Sequence, residues 1–123
     1  MKVTYLGHAS LGIEANGKHI IVDPFISANE LAKHINIDSL KADYILLTHA
    51  HQDHVLDVEA IAEKTEAIIV CNAEMSYYYG NKGFNVVGMN TGGKAEFDEI
   101  MIKSTIAFHS SSFSDGTYGG NPN

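Results

Sequence analysis

The stretch that decides the fold is "YILLTHAHQDH" at residues 44–54. It begins as a nearly unbroken apolar run, which is typical of a strand covered on both faces. It continues with three histidines and one aspartate within six consecutive residues, although the whole chain has only seven histidines. A chance polar loop seldom reaches this density of imidazole and carboxylate groups, so we interpret the stretch as a metal site rather than a solvated loop.

Spacing within this motif predicts two sets of ligands. In an extended segment His49, His51 and Asp53 would point to one side, and His54 would follow at the turn into the next helix. Neutral imidazole binds zinc, iron, nickel or copper, and a neighbouring carboxylate stabilises the cation and orients a bound water. The strand–loop–helix order also favours a site, since ligands of α/β proteins gather where strands end and helices begin.

Composition is that of an ordinary globular domain. The 123 residues are 45% hydrophobic, which is enough for one domain with a modest core and no internal boundary. Net charge is −7 and every basic side chain is a lysine, so we expect binding neither to nucleic acid nor to an anionic membrane. Cys71 cannot form an intrachain disulfide and the start lacks signal-peptide features, so we expect a cytoplasmic protein.

An opening β-hairpin is the clearest local prediction. Alternating apolar and polar residues at 2–6, 10–15 and 18–23 are typical of strands. Asn-Gly at 16–17 separates the second and third of these runs, and both residues of such a turn favour positive φ.

Helices and strands are then expected to alternate. Further strands are predicted at 67–71 and 84–89, helices at 57–65 and 73–83, and a late hairpin at 91–108. Asp57 is the expected N-cap of the first helix. Asp98 and Glu99 are expected in the turn of the late hairpin, with a return strand from Met101 to Phe108.

Several stretches resemble the metallo-β-lactamase superfamily. The pattern H-x-H-x-D-H at 49–54, directly after a buried strand, is highly specific for that superfamily. The stretches "VTYLGHAS", "GKHIIVDPF" and "FHSSSFSDGTYGGNPN" are similar to one of its branches. That branch contains L-ascorbate 6-phosphate lactonase and a set of metal-dependent hydrolases. The similarity extends from Lys2 to Asn123 and identifies no substrate.

The resemblance assigns metal ligands residue by residue. It implies that His49, His51 and His109 bind a first metal and that Asp53 and His54 bind a second. It also implies that Asp53 acts in catalysis by orienting a metal-bound water. Without the resemblance, His109 would be interpreted as a polar residue at the end of a strand.

Two residues outside the motif have supporting roles in this family. Asp23, in "VDPF", matches an aspartate that hydrogen-bonds to the metal-binding loop and orients it, although Asp-Pro also favours a turn. His8, in "YLGHAS", matches a loop near the metal site. There it either contacts substrate or has a structural hydrogen-bonding role.

The chain departs from the family in its length. Complete members are an αββα sandwich of two similar halves, and their later strands supply a bridging aspartate and a further histidine. After His109 only Asp115 could serve, and its Gly/Ser-rich loop does not match the motif. The resemblance therefore implies an α+β fold of which residues 1–123 are the N-terminal half, a mostly antiparallel mixed sheet with helices on one face. The other face would be apolar, which predicts a homo-oligomer or association with a missing second half.

The implied function is hydrolysis of a small molecule containing a lactone, ester or phosphoester bond by a metal-activated water. Zinc is the expected metal, with manganese or iron as alternatives. A complete site holds two ions, and this chain is expected to hold one or none. Two other functions stay open, namely a non-catalytic half-domain that binds metal or only associates, and a mononuclear iron oxidoreductase. Diiron reductases are disfavoured because they usually have a carboxylate at the position of His51.

Overall fold

The computed structural model describes residues 1–98 and 100–123. The strands in this part of the chain are β1 Lys2–Gly7, β2 Ser10–Ala15, β3 Lys18–Val22, β4 Tyr44–Leu46, β5 Ile68–Cys71, β6 Val86–Gly88, β7 Lys94–Phe97 and β8 Ile100–Lys103. The α-helices are α1 Gln52–Val55, α2 Val58–Thr65 and α3 Ala73–Gly80. Two 3-10 helices, Glu30–Ala32 and Ile37–Ser39, lie between β3 and β4.

Six strands form one mixed sheet in the order β1-β2-β3-β4-β5-β6. The pairs β1–β2 and β2–β3 are antiparallel, whereas β3–β4, β4–β5 and β5–β6 are parallel. The predicted turn between β2 and β3 is confirmed, since Asn16 and Gly17 have φ angles of 50° and 75°. An α+β fold with a mixed sheet is confirmed, but the expected majority of antiparallel pairs is not found in this sheet.

Crossover connections explain the parallel pairs. Between β3 and β4 the chain passes through the two 3-10 helices, between β4 and β5 through α1 and α2, and between β5 and β6 through α3. A connection of this kind returns the chain to the same end of the sheet, so the next strand runs in the same direction. The carboxyl ends of β3, β4 and β5 consequently lie at one edge of the sheet.

The three α-helices pack on one face of the sheet, as expected. Ile21 on β3 is the register partner of Ile45 on β4, and Ile45 is the partner of Ile69 on β5. The three side chains therefore point to the same face of the sheet. All three are at most 2% exposed. The helix residues that complete this core are Val55 of α1, Val58, Ile61 and Ala62 of α2, and Met75 and Tyr79 of α3.

The opposite face is partly covered by the hairpin of β7 and β8. Ile20, Tyr44 and Val70 are buried beneath it, and the rings of Tyr44 and Phe97 lie 5.3 Å apart. The Tyr44 hydroxyl also donates a 2.7 Å hydrogen bond to the Asp98 carboxylate.

The hairpin is shorter than the sequence predicted. Asp98 lies in its turn, as expected, and the expectation for Glu99 falls outside the described residues. The return strand ends at Lys103 instead of Phe108, because the chain beyond it pairs with the last residues instead of with β7: the Ala107 N–H donates to the carbonyl oxygen of Pro122.

The β1–β2 end of this face has no cover within residues 1–98 and 100–123. Val3 and Tyr5 of β1 are 54% and 69% exposed, and their register partners Ile13 and Leu11 on β2 are partly buried. We call these four side chains the apolar strip. Partners in a ladder point to the same face, so the strip continues the apolar surface that the hairpin covers further along.

Asp57 stands at the N-cap position of α2, but its side chain does not cap that helix. Its buried carboxylate instead accepts hydrogen bonds from the backbone N–H groups of Ile26 and Ser27 at 2.6 and 2.9 Å. The backbone N–H of Asp57 donates to the carbonyl oxygen of Pro24 at 3.1 Å. The start of α2 is therefore tied to the loop that follows β3, which fixes the position of Asp23 relative to the helices.

A membrane span is not found among the described residues. Both α2 and α3 have eight residues, and no helix in residues 1–98 and 100–123 has the length and apolar character needed to cross a bilayer.

We predict that the apolar strip drives self-association of the isolated chain. Replacing both Val3 and Tyr5 by lysine adds charges that are costly to desolvate, so association should weaken by about tenfold, equal to about 1.4 kcal/mol. Sedimentation equilibrium of the 123-residue chain measures this. The control is Thr4→Lys, since Thr4 lies on the opposite face of β1. Equal association of both variants would contradict the prediction.

Candidate metal centre

The motif at 49–54 lies where β4 gives way to α1. Strand β4 ends at Leu46, and His49 and His51 lie in the segment before the helix, with His51 still extended at φ −64° and ψ 143°. Helix α1 begins at Gln52, so Asp53 and His54 are helical. The expectation that Asp53 points with His49 and His51 is therefore wrong, because a helix abolishes the two-residue alternation of an extended chain.

A first donor cluster consists of His49, His51 and His109. One ring nitrogen of each residue can be chosen so that all three lie within 4.8 Å of one another. The ring centroids are 4.7 Å apart for His49 and His51, 4.5 Å for His49 and His109, and 5.0 Å for His51 and His109. His49 is only 5% exposed and His109 is exposed, so the cluster runs from the core to the surface.

A second donor cluster consists of His8, Asp53 and His54. Their potential ligand atoms also lie within 4.8 Å of one another. His8 Nε2 is 3.0 Å from Asp53 Oδ2, and His54 Nε2 is 3.9 Å from the same oxygen. The rings of His49 and His54 have centroids 4.1 Å apart, so the two clusters are adjacent. The two clusters contain the two donor sets that the resemblance implies, and His8 lies with the second.

Asp23 connects the two clusters. It is 2% exposed, lies at the end of β3 with a positive φ of 42°, and accepts hydrogen bonds from both the backbone N–H and the hydroxyl of Thr48 at 2.8 and 2.6 Å. His54 Nδ1 lies 2.9 Å from Asp23 Oδ2 and donates to it. The turn and the orienting role expected for Asp23 are thus compatible, because the turn is what directs the carboxylate towards the motif.

The protonated nitrogens of three histidines follow from these contacts. The Thr48 hydroxyl donates its one proton to Asp23, so it must accept from His49 Nδ1, 2.9 Å away. His54 Nδ1 donates to Asp23, and His109 Nδ1 donates to the carbonyl oxygen of Ser110 at 2.8 Å. In each ring Nδ1 carries a proton, so Nε2 is the nitrogen that could bind a metal; His49 Nε2 lies 3.1 Å from His51 Nδ1 in this structure.

Electrostatics also favour the ligand form of His49. Burial lowers the pKa of His49 to about 4, and the neighbouring rings of His54, His109 and His51 contribute in the same direction. The imidazole is therefore neutral near pH 7, as coordination requires. For Asp53, burial acts to raise the pKa, but its backbone hydrogen bond and the neighbouring His54 and His8 outweigh burial and hold the pKa below its usual value. The carboxylate is ionised and can bind a cation.

The segment from 104 to 123 brings His109 to the motif. The backbone N–H of Ala50 donates to Ser111 Oγ at 3.1 Å, and Gly119 lies so close that a Cβ there would be 2.4 Å from Ala50 Cβ. Asn72, the N-cap of α3, donates from its side-chain amide to the carbonyl oxygen of Gly119 at 2.6 Å. These contacts fix the segment that carries His109 against the motif.

Two further residues show the limits of sequence reasoning at this site. No sequence motif predicts a role for Thr48, but its place between a buried strand and His49 is one from which a hydroxyl can orient the ligand. Asp115 accepts a hydrogen bond from the backbone N–H of Thr117 at 2.8 Å and belongs to neither donor cluster, as its loop context predicted.

The residues present fit a divalent metal. Both clusters offer imidazole nitrogens, and the second adds the Asp53 carboxylate; zinc and related transition metals prefer such donors. Asp23 supplies the hydrogen bonds that orient one histidine of each cluster, directly for His54 and through Thr48 for His49. Such partners are a regular feature of metal-binding histidines.

Comparison with known sequences gives a match over nearly the whole chain. A family model described as beta-lactamase superfamily domain matches residues 2–122. The chain is 65% identical over 122 residues to a UPF0173 metal-dependent hydrolase of Flavobacterium johnsoniae. It is 52% identical over 123 residues to a protein of the same name from Christiangramia forsetii. Each match covers 99% of this chain and 54% of the relative, so the chain spans about half the length of the curated relatives it matches.

Solved structures show a similar fold. Igni18, a metallo hydrolase from the archaeon Ignicoccus hospitalis, is 32% identical with a TM-score of 0.77, over 96% of this chain and 53% of that one. The metallo-beta-lactamase SMB-1 is 20% identical with a TM-score of 0.58, over 97% of this chain and 53% of that one. At that identity the second likeness concerns the fold alone.

We predict that His49→Ala removes most of the metal from the first cluster. The substitution deletes the most buried of its three imidazoles and the one fixed through Thr48 and Asp23. Elemental analysis after equilibrium dialysis against zinc measures the loss. His19→Ala is the matched control. His19 is on β3, lies beside Asp43 and belongs to neither cluster. Unchanged stoichiometry in the His49 variant would overturn the assignment.

Asp23→Ala should weaken zinc affinity by about 10–100-fold without abolishing binding, because Asp23 orients ligands and is not one of them. Competition with a chromophoric chelator gives the dissociation constant. Circular dichroism of the variant shows whether the fold is kept. Thr48→Val is a second variant with a smaller expected effect on affinity. It removes the hydroxyl that connects Asp23 to His49 but leaves the hydrogen bond between Asp23 and His54. A dissociation constant that does not change in Asp23→Ala would reduce Asp23 to a turn residue.

Proposed function

Because this chain belongs to the beta-lactamase superfamily domain family, we propose that it is the metal-binding part of a metal-dependent hydrolase. The observation that carries the proposal is the pair of adjacent donor clusters oriented by one buried carboxylate, that of Asp23. The relatives named metal-dependent hydrolase support the same reaction class. The proposed reaction needs no serine or cysteine nucleophile. Burial raises the pKa of Cys71 to about 12, so its thiol stays protonated.

The complete protein is proposed to be a four-layer αββα sandwich of which this chain is the N-terminal half. Two observations support this: the chain matches about half of its relatives, and the apolar strip has no cover among the described residues. In this proposal the remaining half packs on the strip and on the β7–β8 hairpin. It also adds ligands to the metal centre. In the isolated chain a second copy is the proposed substitute for the missing half.

The ligands have distinct parts in the proposed mechanism. His49, His51 and His109 would hold one metal, and Asp53 and His54 would hold another. When bound there, a divalent metal would supply Lewis-acid chemistry: it would lower the pKa of a coordinated water towards neutrality and polarise a carbonyl or phosphoryl group.

The chain's own residues prepare the site for that chemistry. Asp23 and Thr48 fix the proton on Nδ1 of His54 and His49, so neither ring has to change tautomer on binding. Asp53, whose side chain is 51% exposed, can accept a hydrogen bond from the attacking water and so orient it. His8 lies next to Asp53, and 43% of its side chain is exposed.

The finer features of the function are also proposals. Zinc is the proposed metal, because imidazole nitrogen predominates among the donors. The proposed substrate is a small molecule with a lactone, ester or phosphoester bond, since a metal-activated water can attack either acyl or phosphoryl centres. A net charge of −7 disfavours a polyanion such as nucleic acid.

The test is to assay the complete protein that contains this chain against a panel of lactones, esters and phosphodiesters. We expect turnover with added zinc or manganese that a chelator abolishes. His49→Ala should lower kcat/KM by at least about 100-fold, equal to about 2.7 kcal/mol. The isolated 123-residue chain should be at least about 100-fold less active than the complete protein, because it lacks the cover and the ligands of the other half.

His19→Ala in the complete protein is the matched control and should retain full activity. Metal analysis of the same samples separates the alternatives. Bound iron with oxygen consumption would replace the hydrolase by an oxidoreductase. Bound zinc with no turnover on any member of the panel, at equal activity of wild type and His49→Ala, would favour a non-catalytic binding domain.

A further inference from the structure

We propose that Ser110 is a positioning residue for two of the three imidazoles in the first cluster. Its hydroxyl holds His51 and its backbone carbonyl oxygen holds His109. The inference rests on the proposed function in that these two imidazoles are metal ligands. It goes beyond that function because the hydrogen bonds that Asp23 forms within the described residues lead to the other two histidines of the motif.

Both polar groups of Ser110 face an imidazole. The carbonyl oxygen accepts a 2.8 Å hydrogen bond from His109 Nδ1, and the hydroxyl oxygen lies 3.4 Å from His51 Nε2. The rings of His51 and His109 are neighbours, with centroids 5.0 Å apart. Ser110 therefore contacts the two more exposed rings of the cluster from the surface, while the buried ring of His49 is held from the core side.

The hydrogen bonds show which nitrogen of His51 carries the proton in this structure. His49 has its proton on Nδ1, so its Nε2 accepts, and His51 Nδ1, which lies 3.1 Å away, donates to it. A neutral imidazole has a single ring proton, so His51 Nε2 accepts from the Ser110 hydroxyl. A continuous line of hydrogen bonds thus connects Ser110 at the surface with Asp23 in the core through the two histidines and Thr48.

A hydroxyl suits this position because it can reverse its hydrogen-bonding role. His49 Nε2 and His51 Nδ1 point towards each other, so they are the atoms through which these two rings would share an ion. His51 would then carry its proton on Nε2 and would donate it to Ser110 Oγ instead of accepting from that hydroxyl. Serine and threonine hydroxyls both donate and accept, so the contact can persist with and without an ion. The methyl group of alanine can do neither.

Ser110 is exposed, but the residues that follow it are fixed by packing. Ser111 is 7% exposed, and its Oγ accepts from the backbone N–H of Ala50 at 3.1 Å. Ala50 directly precedes His51 in the chain, so this hydrogen bond sets the segment in register with the motif. Phe113 is 6% exposed and belongs to the core beneath the helices. The fold of this chain therefore keeps Ser110 beside His51 without help from a bound ligand.

Binding of zinc and cobalt to the 123-residue chain tests the proposal. The main variant is Ser110→Ala, which removes the hydroxyl and keeps the backbone carbonyl. We expect the dissociation constant of the ion that is lost in His49→Ala to rise by about 10-fold, because His51 loses the partner that orients it. The visible absorption of cobalt at this site should shift, since a ring without its hydrogen bond is a weaker donor. Ser110→Thr keeps a hydroxyl and should retain the wild-type affinity and spectrum.

Nitrogen NMR of the histidine rings gives a readout that a general effect on folding would not produce. In the zinc-loaded chain, Ser110→Ala should move the Nε2 resonance of His51 and leave that of His54 Nδ1 in place. Ser112→Ala is the matched control. Ser112 lies in the same segment and pairs with Tyr118 through a backbone bridge, and no hydrogen bond in residues 1–98 and 100–123 joins its hydroxyl to either cluster. Circular dichroism shows whether each variant keeps the fold.

The outcomes separate this inference from the proposed function. An unchanged dissociation constant and cobalt spectrum in Ser110→Ala, with the ion still lost in His49→Ala, would overturn the inference and leave the proposed function intact. An equal loss of affinity in Ser110→Ala and Ser110→Thr would also overturn it, because the hydroxyl would then not be the group that matters. No bound ion in the wild type would contradict both.

Discussion

The hydrogen bonding of the buried Asp23 carboxylate is the interaction on which the geometry of the candidate metal centre depends. It receives three hydrogen bonds, two from Thr48 and one from His54. The fold makes this convergence feasible because β3 and β4 are parallel and end at the same edge of the sheet, where the Asp23 N–H also donates to the carbonyl oxygen of Leu46. A buried carboxylate without such donors would be strongly destabilising. The register of β3 against β4 therefore determines both the stability of this carboxylate and the orientation of the histidines that it contacts.

The sequence predicts the local parts of this structure well. The strand before the motif and the Asn-Gly turn are both specified by residues close in the chain, and each is confirmed. The family is also confirmed, since it follows from motifs that are read directly from residue types and spacing. The ligand roles of the motif residues stay predictions, because proximity of donor atoms does not by itself demonstrate a bound ion.

The parts that the sequence could not supply depend on long-range geometry. The direction of β4 to β6 depends on crossover connections, and the place of His8 depends on the register of β1 against β2. His8 and Asp53 are 45 residues apart, so no spacing rule relates them. The helical start at Gln52, which separates Asp53 from His51, depends on how the motif leaves the sheet. Each of these is set by tertiary packing, which overrides the local preference of the residues concerned.

One carboxylate shared by two clusters has a thermodynamic consequence. An ion bound by His54 restricts the side chain of Asp23, and through Thr48 the same carboxylate restricts His49. If the two proposed ions bind, the first would bear part of the entropic cost of ordering that the second would otherwise meet, which is a source of positive cooperativity without a change of shape. Linkage would make such coupling reciprocal, so each ion would raise the affinity for the other by the same factor. Loading of the proposed centre would then be steeper with free metal concentration than for two independent sites.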